Sequence, residues 1–268
     1  MAFMLIAQIT DLHITALGSR LFGHVDTACH LARAVSSLLA LDPQPDVVLA
    51  TGDLVDGGDP VEYAHLRHLL RPLRQPLFVI PGNHDERSAL RKAFGDCAYL
   101  PAGSGFLHYT VEDWPVRLIG LDSVDAGAPG GVLCRDRLAW LSQRLLEQPD
   151  RPTLIFMHHP PFSTGIEHMD AMGLRDAEGL AQVVSHHPQV ERIVCGHVHR
   201  SIQARFAGTI ASVAPSTAHQ VSLDLRAAAD ATFSMEPPGY HLHLWRRETG
   251  LVTHTVSVGT YPGPYPFE

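Results

Sequence analysis

One pattern constrains this chain more than any other. Short apolar runs end repeatedly in turns that carry aspartate, asparagine or histidine beside glycine or proline. Such runs stand at Phe3–Ile9, Val47–Ala50, Leu77–Ile80, Val116–Leu121, Thr153–Met157 and Val190–Cys195. Their length and apolar content, and the turn residues around them, predict buried strands. After five of the six come, in order, Asp11-Leu12-His13, Gly52-Asp53-Leu54-Val55-Asp56, Gly82-Asn83-His84-Asp85, His158-His159-Pro160-Pro161 and Gly196-His197-Val198-His199.

Helix-period segments separate the runs, which predicts an α/β class. Asp26–Leu41 carries Leu31, Val35, Leu38 and Leu39 on one face, with Asp26 suited to start it. Asp59-Pro60-Val61-Glu62 combines an N-cap, a first-turn proline and a capping-box glutamate, so a helix is predicted from Pro60 to about Leu70. Further helices are expected near Glu86–Phe94, Asp136–Glu147 and Ala177–His186. From Ser201 the pattern turns to strands, at Ser201–Phe206, Thr209–Val213, Tyr240–Trp245 and Leu251–Val258. The weakly patterned stretch 222–239 reads as a loop or a small cap. With no repeat or low-complexity linker, residues 1–268 are expected to form one domain with a strand-rich C-terminal elaboration from about 201.

The bulk numbers narrow the function classes. A formal charge of −8 lacks the basic face that a nucleic-acid polymer requires, although bound cations can reverse the local field for a small anion. Cys29, Cys97, Cys134 and Cys195 form no CxxC pair and read as isolated thiols of a reducing compartment. No apolar stretch approaches the ~18 residues of a membrane span. The chain enters its first apolar run without a basic segment or cleavage site, so the expectation is cytoplasmic. The 18 histidines stand against only 20 lysines and arginines, which directs attention to metal ligation.

The five turn sets carry the chemistry. Open α/β sheets gather their sites at the carboxyl ends of strands, where loops from different strands converge. Positions i and i+2 of an extended segment point the same way, which would aim Asp11 with His13, and His197 with His199, at one locus. Glycines 52, 82 and 196 permit a tight exit from the strand. Any one set is commonplace, but five in this arrangement are not required by packing. Burying so many imidazoles and carboxylates would be costly without a compensating ion.

With these residues the chain resembles the calcineurin-like metallophosphoesterase superfamily, and within it the class III cyclic nucleotide phosphodiesterases and bacterial glycerophosphodiester phosphodiesterases. Leu21-Phe22-Gly23-His24-Val25-Asp26 and Tyr261-Pro262-Gly263-Pro264 are similar to that subgroup as well. The resemblance implies a four-layer sandwich, two mixed sheets face to face with helices outside. It implies that Asp11, His13 and His199 hold one divalent metal, that Asn83, His158 and His197 hold a second, and that Asp53 bridges them. Nitrogen and oxygen donors suit Mn, Fe, Co or Zn. Two such ions would activate a bridging hydroxide for in-line attack on a small phosphodiester. His84 would stand over the phosphate as proton donor or charge stabiliser, with Asp56 and Asp85 orienting ligands. His219, within Thr217-Ala218-His219-Gln220, is a candidate for substrate contact, and His24 stays open.

The remaining histidines read as structural. His65 and His68 are expected to be solvated on the Pro60–Leu70 helix, and His159 is expected to be held for packing by the following prolines. A metal-dependent monoesterase or protein phosphatase is the alternative function. Ile14 and Gly57-Gly58 stand where protein phosphatases carry Gly and Asp-Arg-Gly, which favours the diesterase. A non-catalytic scaffold of the same fold would have lost ligands, and none is missing. Specificity is expected from Ile14–His24, Ser163–Arg175 and Ser222–Gly239, and the resemblance implies a homo-oligomer.

Overall fold

Alternation along the strands sorts their side chains onto two faces, and that sorting builds the layers. In the computed structural model, which describes residues 3–268, the elements in chain order are β1 (Phe3–Ile9), α1 (Thr27–Leu39), β2 (Val47–Thr51), α2 (Pro60–Leu70), β3 (Leu77–Ile80), α3 (Arg87–Ala93), β4 (Tyr109–Val111), β5 (Arg117–Leu121), β6 (Gly131–Val132), α4 (Arg135–Glu147), β7 (Thr153–Met157), α5 (Glu167–Asp170), β8 (Leu174–Arg175), α6 (Ala177–Ser185), β9 (Val190–Cys195), β10 (Ile202–Phe206), β11 (Thr209–Val213), β12 (Gln220–Val221), β13 (Phe233–Ser234), β14 (Gly239–Arg246) and β15 (Gly250–Ser257). One five-stranded sheet runs β15-β14-β1-β2-β3, and a six-stranded sheet runs β10-β11-β9-β7-β5-β4. Both are mixed. β1, β2 and β3 are parallel with β14 antiparallel to β1, while β5, β7, β9 and β11 are parallel with β4 and β10 antiparallel at the edges.

Met4, Ile6, Val47, Leu49, Phe78 and Ile80 of the first sheet join one core with Leu118, Leu154, Phe156 and Ile193 of the second, and this core continues to Leu141 and Leu145 of α4 and Leu180 of α6. The intervening residues Ala7, Ile9, Val48, Ala50 and Val79 face the other way. They pack on Leu31, Val35 and Leu38 of α1, Tyr63 and Leu66 of α2 and Leu90 of α3. The order is helix, sheet, sheet, helix. Each fully buried leucine of this kind contributes about 1.5–3 kcal/mol. The start of α2 matches its sequence signature, with the Asp59 side chain accepting from Val61 N–H at 2.8 Å and Glu62 from Asp59 N–H at 3.2 Å.

The strands beyond residue 201 are shared between the two sheets: β10 and β11 extend the six-stranded sheet, and β14 and β15 complete the five-stranded one. The stretch 222–239 is a loop carrying β13, which pairs with β12, a pairing that its mixed composition did not signal. His65 is not solvated. It is half-buried, with Nδ1 2.9 Å from the Thr15 carbonyl, because α2 packs against the loop after β1. Among the described residues no helix is long and apolar enough to cross a membrane.

A buried polar tie joins the two sheets. Gln8 of β1 donates to Thr51 Oγ1 at 3.0 Å and to the Cys195 carbonyl of β9 at 2.8 Å, while its Oε1 lies 3.1 Å from His243 Nε2. The His243 Nδ1 takes the Thr253 hydroxyl at 2.8 Å, so this imidazole is neutral with its proton on Nε2. Burial, with the His241 and Arg192 charges adding to it, holds His243 well below the usual histidine range; burial and Arg192 bring His241 to about 4.

Two measurements follow from this tie. Gln8→Ala removes three buried hydrogen bonds and leaves His243 Nε2 without a partner, and should lower the unfolding free energy by about 3 kcal/mol, read from urea denaturation. Unfolded histidine titrates near ~6.5, so the unfolded chain binds protons that the native chain refuses as the pH falls below that value. The contribution of these two imidazoles to stability should therefore be constant above pH ~6.5 and fall towards pH 4, with a slope of up to about 1.4 kcal/mol per unit for each. His241→Gln should flatten the slope; an unchanged slope would show that His241 is not buried neutral.

Candidate metal centre

Side chains from all five turn sets converge at the carboxyl ends of β1, β2, β3, β7 and β9. The backbone that delivers them is not extended. Asp11, His13, Asp53, His197 and His199 all have positive φ, between 44° and 74°. The same-side rule for extended chain therefore does not explain Asp11-x-His13 or His197-x-His199. Left-handed kinks at alternate residues turn these side chains into the pocket, while Leu12 and Val198 between them are sunk in the cores at 0% and 1% exposure. For non-glycine residues such kinks cost on the order of 1–3 kcal/mol each. Gly52 (φ +91°) and Gly82 permit the close approach of neighbouring loops. A Cβ at Gly52 would stand 2.5 Å from His158 Nδ1, and one at Gly82 would overlap the Asp53 carboxylate.

The polar atoms are arranged in two tiers. In the outer tier each imidazole has one nitrogen engaged: His13 Nδ1 with Asp56 Oδ1 at 3.1 Å, His158 Nδ1 with the Thr51 carbonyl at 2.8 Å, His199 Nδ1 with the His219 carbonyl at 3.1 Å, and His197 Nε2 with the Met172 carbonyl at 3.0 Å. Every one of those partners is an acceptor, so each of these nitrogens carries the proton. The opposite nitrogens are left as lone pairs. In the inner tier His13 Nε2 and His199 Nε2 lie 3.2 Å apart, His199 Nε2 is 3.4 Å from Asp11 Oδ1, and His13 Nε2 is 3.7 Å from Asp53 Oδ2. His158 Nε2 faces Asp53 Oδ2 at 3.2 Å and Asn83 Oδ1 at 3.1 Å. Acceptors at such distances repel unless a proton or a cation lies between them.

The electrostatics say the same. Burial raises Asp11, and the neighbouring Asp53 charge adds to the rise. Burial pushes Asp53 up as well, but the His158, His13 and His84 imidazoles outweigh it and hold Asp53 well below the carboxylate range. Burial opposes charge on His158, yet Asp53 and Asp11 lift it to about 9. Buried carboxylate charge draws a proton onto an imidazole wherever no stronger cation competes, and a metal ion would displace that proton. The donor set therefore fits divalent cations of the borderline type. Asp11, His13 and His199 form one group with ligand atoms close enough for an ion; Asp11, Asp53 and His158 form another; His13, Asp53 and His84 a third; His158, His159 and His197 a fourth.

The remaining sequence candidates take distinct places. His84 is exposed, with Nδ1 2.7 Å from the Asp56 carbonyl and its ring 4.6 Å edge-on to His13. Its backbone N–H donates to Asp53 Oδ1 at 2.9 Å. Asp56 faces His13. Asp85 hydrogen-bonds backbone and Tyr63 instead of a candidate ligand; it accepts from Leu54 N–H at 3.1 Å, Gly82 N–H at 2.8 Å and Tyr63 Oη–H at 2.8 Å, tying the second and third loops together. Burial and the Asp53 charge raise it to about 6. His219 is buried, with its ring 4.5 Å from His199 and its Nδ1 without a partner. His159 is buried, with Ser123 Oγ at 2.9 Å and the Pro129 carbonyl at 3.2 Å on its two ring nitrogens. Four contributors escaped sequence reading: the carbonyls of Thr51 and Met172, which no side-chain pattern encodes; Tyr63, an ordinary core position of α2; and Phe233, which packs beside His219.

Residues 4–201 match the model of the calcineurin-like phosphoesterase family. Over 98% of this chain and 97% of its own length, the probable glycerophosphodiester phosphodiesterase of Arcobacter nitrofigilis is 41% identical. The 3',5'-cyclic adenosine monophosphate phosphodiesterase of Escherichia coli is 32% identical over 80% of this chain and 76% of its own length. Among solved structures, a dimetal phosphatase from Danio rerio shares the fold with a TM-score of 0.63 at 15% identity, covering 96% of this chain and 99% of the other. A site built from strand-end loops, a helix–sheet–sheet–helix core and full-length likeness lead to one conclusion: the chain belongs to the calcineurin-like phosphoesterase family.

Proposed function

We propose that this chain is a metal-dependent phosphodiesterase acting on small phosphodiesters, of the glycerophosphodiester or cyclic nucleotide kind on which its relatives are named. The observation that carries the reading is the two-tier arrangement of the pocket, where imidazoles with engaged outer nitrogens face buried carboxylates across gaps that call for cations. Asp11, His13 and His199 would hold one divalent ion, Asn83, His158 and His197 a second, and Asp53 would bridge the two. Mn, Fe, Co and Zn all suit these donors. When bound, such a pair supplies a hydroxide nucleophile near neutral pH and a clamp on the phosphoryl oxygens.

The chain's own residues supply the rest. Asp56 fixes the proton of His13 on Nδ1, the Thr51 and His219 carbonyls do the same for His158 and His199, and the Met172 carbonyl fixes that of His197 on Nε2. Asp85 and Tyr63 hold the loops of Asp53 and Asn83 at fixed separation. With Nδ1 of His84 on the Asp56 carbonyl, its Nε2 is the exposed nitrogen that faces a substrate. Protonated there, it delivers a proton to the leaving alkoxide oxygen as the bond to phosphorus breaks; its chief demand falls on substrates with poor leaving groups. We read residues 1–268 as one domain, since the C-terminal strands complete both sheets. Four free cysteines suit a cytoplasmic setting. Exposed Tyr261, Tyr265 and Phe267 in the C-terminal tail suit a homo-oligomer.

Asp53→Asn should abolish diester hydrolysis and lower the metal content per chain, measured by elemental analysis. His84→Ala should retain its metal and lose on the order of a hundredfold or more in kcat on alkyl diesters, with a smaller loss on nitrophenyl diesters. Loss of metal from His84→Ala would make it a ligand and end the proton-donor role. Manganese-loaded protein should prefer glycerophosphocholine, cyclic AMP or bis(4-nitrophenyl) phosphate to 4-nitrophenyl phosphate; the opposite preference would favour the monoesterase.

A further inference from the structure

Next to the candidate metal centre stands an aromatic surface that ligation does not use. Leu21 and Val25 exchange backbone hydrogen bonds at 3.0 and 2.9 Å, closing a tight loop whose base is buried against Ala218 and Phe233. At its tip Phe22 has φ +50° and is 58% exposed. Its ring is stacked on Phe233 with centroids 5.0 Å apart and planes at 28°. Both rings meet His219 edge-on, at 5.8 and 5.3 Å, and His219 lies 5.6 Å from His13 and 4.5 Å from His199. A continuous line of rings thus runs from two proposed ligands to an open aromatic face.

Packing does not account for Phe22. A bulky residue in the left-handed region is a true outlier, and glycine or asparagine would serve a turn there without strain. More than half of the residue is in water, so burial returns little. The anchors of the loop are Leu21 and Val25, not Phe22. Backbone strain and an exposed aromatic face at one position, within two rings of the reacting centre, are features of a surface kept for a ligand. A planar ring gains from stacking on such a face, whereas a glycerol or choline group has no π surface to offer.

We infer that the Phe22–Phe233 pair is a stacking shelf for a planar aromatic group on the substrate, a nucleobase or an aryl alcohol, and that it sets selectivity for such diesters over glycerol-type ones. The inference rests on the phosphodiesterase reading above. The test compares kcat/KM for cyclic AMP with that for glycerophosphocholine in metal-loaded wild type, Phe22→Ala, Phe233→Leu and Phe22→Tyr, with folding checked by melting temperature. Phe233→Leu keeps apolar volume against Leu21 and Val25 while removing the ring. The cyclic AMP to glycerophosphocholine ratio should fall on the order of tenfold in the first two variants, through KM more than kcat, and return in Phe22→Tyr. If wild type hydrolyses cyclic AMP alone, the same rise in KM for it in Phe22→Ala is the supporting result. A ratio or KM unmoved by Phe22→Ala overturns the shelf, as does wild-type activity on glycerophosphocholine alone. Wild type inactive on both diesters fails at an earlier point and refutes the phosphodiesterase reading itself.

Discussion

Two carboxylates held out of water set the terms for the rest of the molecule. Asp11 is fully buried and Asp53 nearly so, and their charges lie among imidazoles whose outer nitrogens are already committed. Isolated carboxylates at such depth would protonate. Asp53 is instead held ionised by the histidines around it, and His158 rises to about 9 in answer. The pocket is thus a sink for positive charge, and the two-sheet sandwich is the frame that keeps it from relaxing.

That frame works against a cost. Five residues of the pocket sit in left-handed backbone, and at on the order of 1–3 kcal/mol each their summed strain is comparable with the ~5–15 kcal/mol net stability of an ordinary domain. Such a backbone persists only where its surroundings over-determine it. Leu12, Leu54 and Val198, the residues between or beside the kinks, are buried at 0–1% exposure. Asp11 accepts the His197 N–H on both oxygens, at 2.9 and 3.1 Å, binding the first loop to the last across the two sheets. Gln8 adds a second polar tie between the same sheets one turn of chain away. A bound cation would stabilise the state in which this strain is held, because only the folded chain presents the full donor set.

Much of this was legible in the residues, and the limits are physical. The inner strands are readable because they are buried on both faces, which gives near-continuous apolar runs. The α2 start was readable because a capping box is local chemistry. The five turn sets stand out by residue type, but extended backbone is not what gathers them: the left-handed φ of these aspartates and histidines is held by packing of the residues between. His65 was misjudged for a related reason, since its partner is the Thr15 carbonyl, and backbone acceptors have no letter in a sequence. The β12–β13 pairing in the stretch after Ala218 was invisible, being two residues long on each side and stabilised by a ring stack with a distant loop.

The division of labour between core and rim follows from these same limits. The carboxylates and imidazoles of the pocket are the residue types that a cation would require, which is why the turn sets stand out in the letters alone. The aromatic rim carries no such signature, and its placement depends on the Leu21–Val25 loop and the β13 strand meeting over His219. His219 belongs to both: its carbonyl fixes the His199 proton, while its ring carries the two phenylalanines. Its Nδ1 is buried without a partner, and burial together with the neighbouring imidazoles keeps the ring neutral. A neutral ring in that place can stack and can accept a hydrogen bond, but it adds no positive charge to a pocket whose donors suit a cation. One residue thereby couples the geometry of ligation to the geometry of recognition, so a change in the rim can alter selectivity only as far as the His219 backbone stays where His199 needs it.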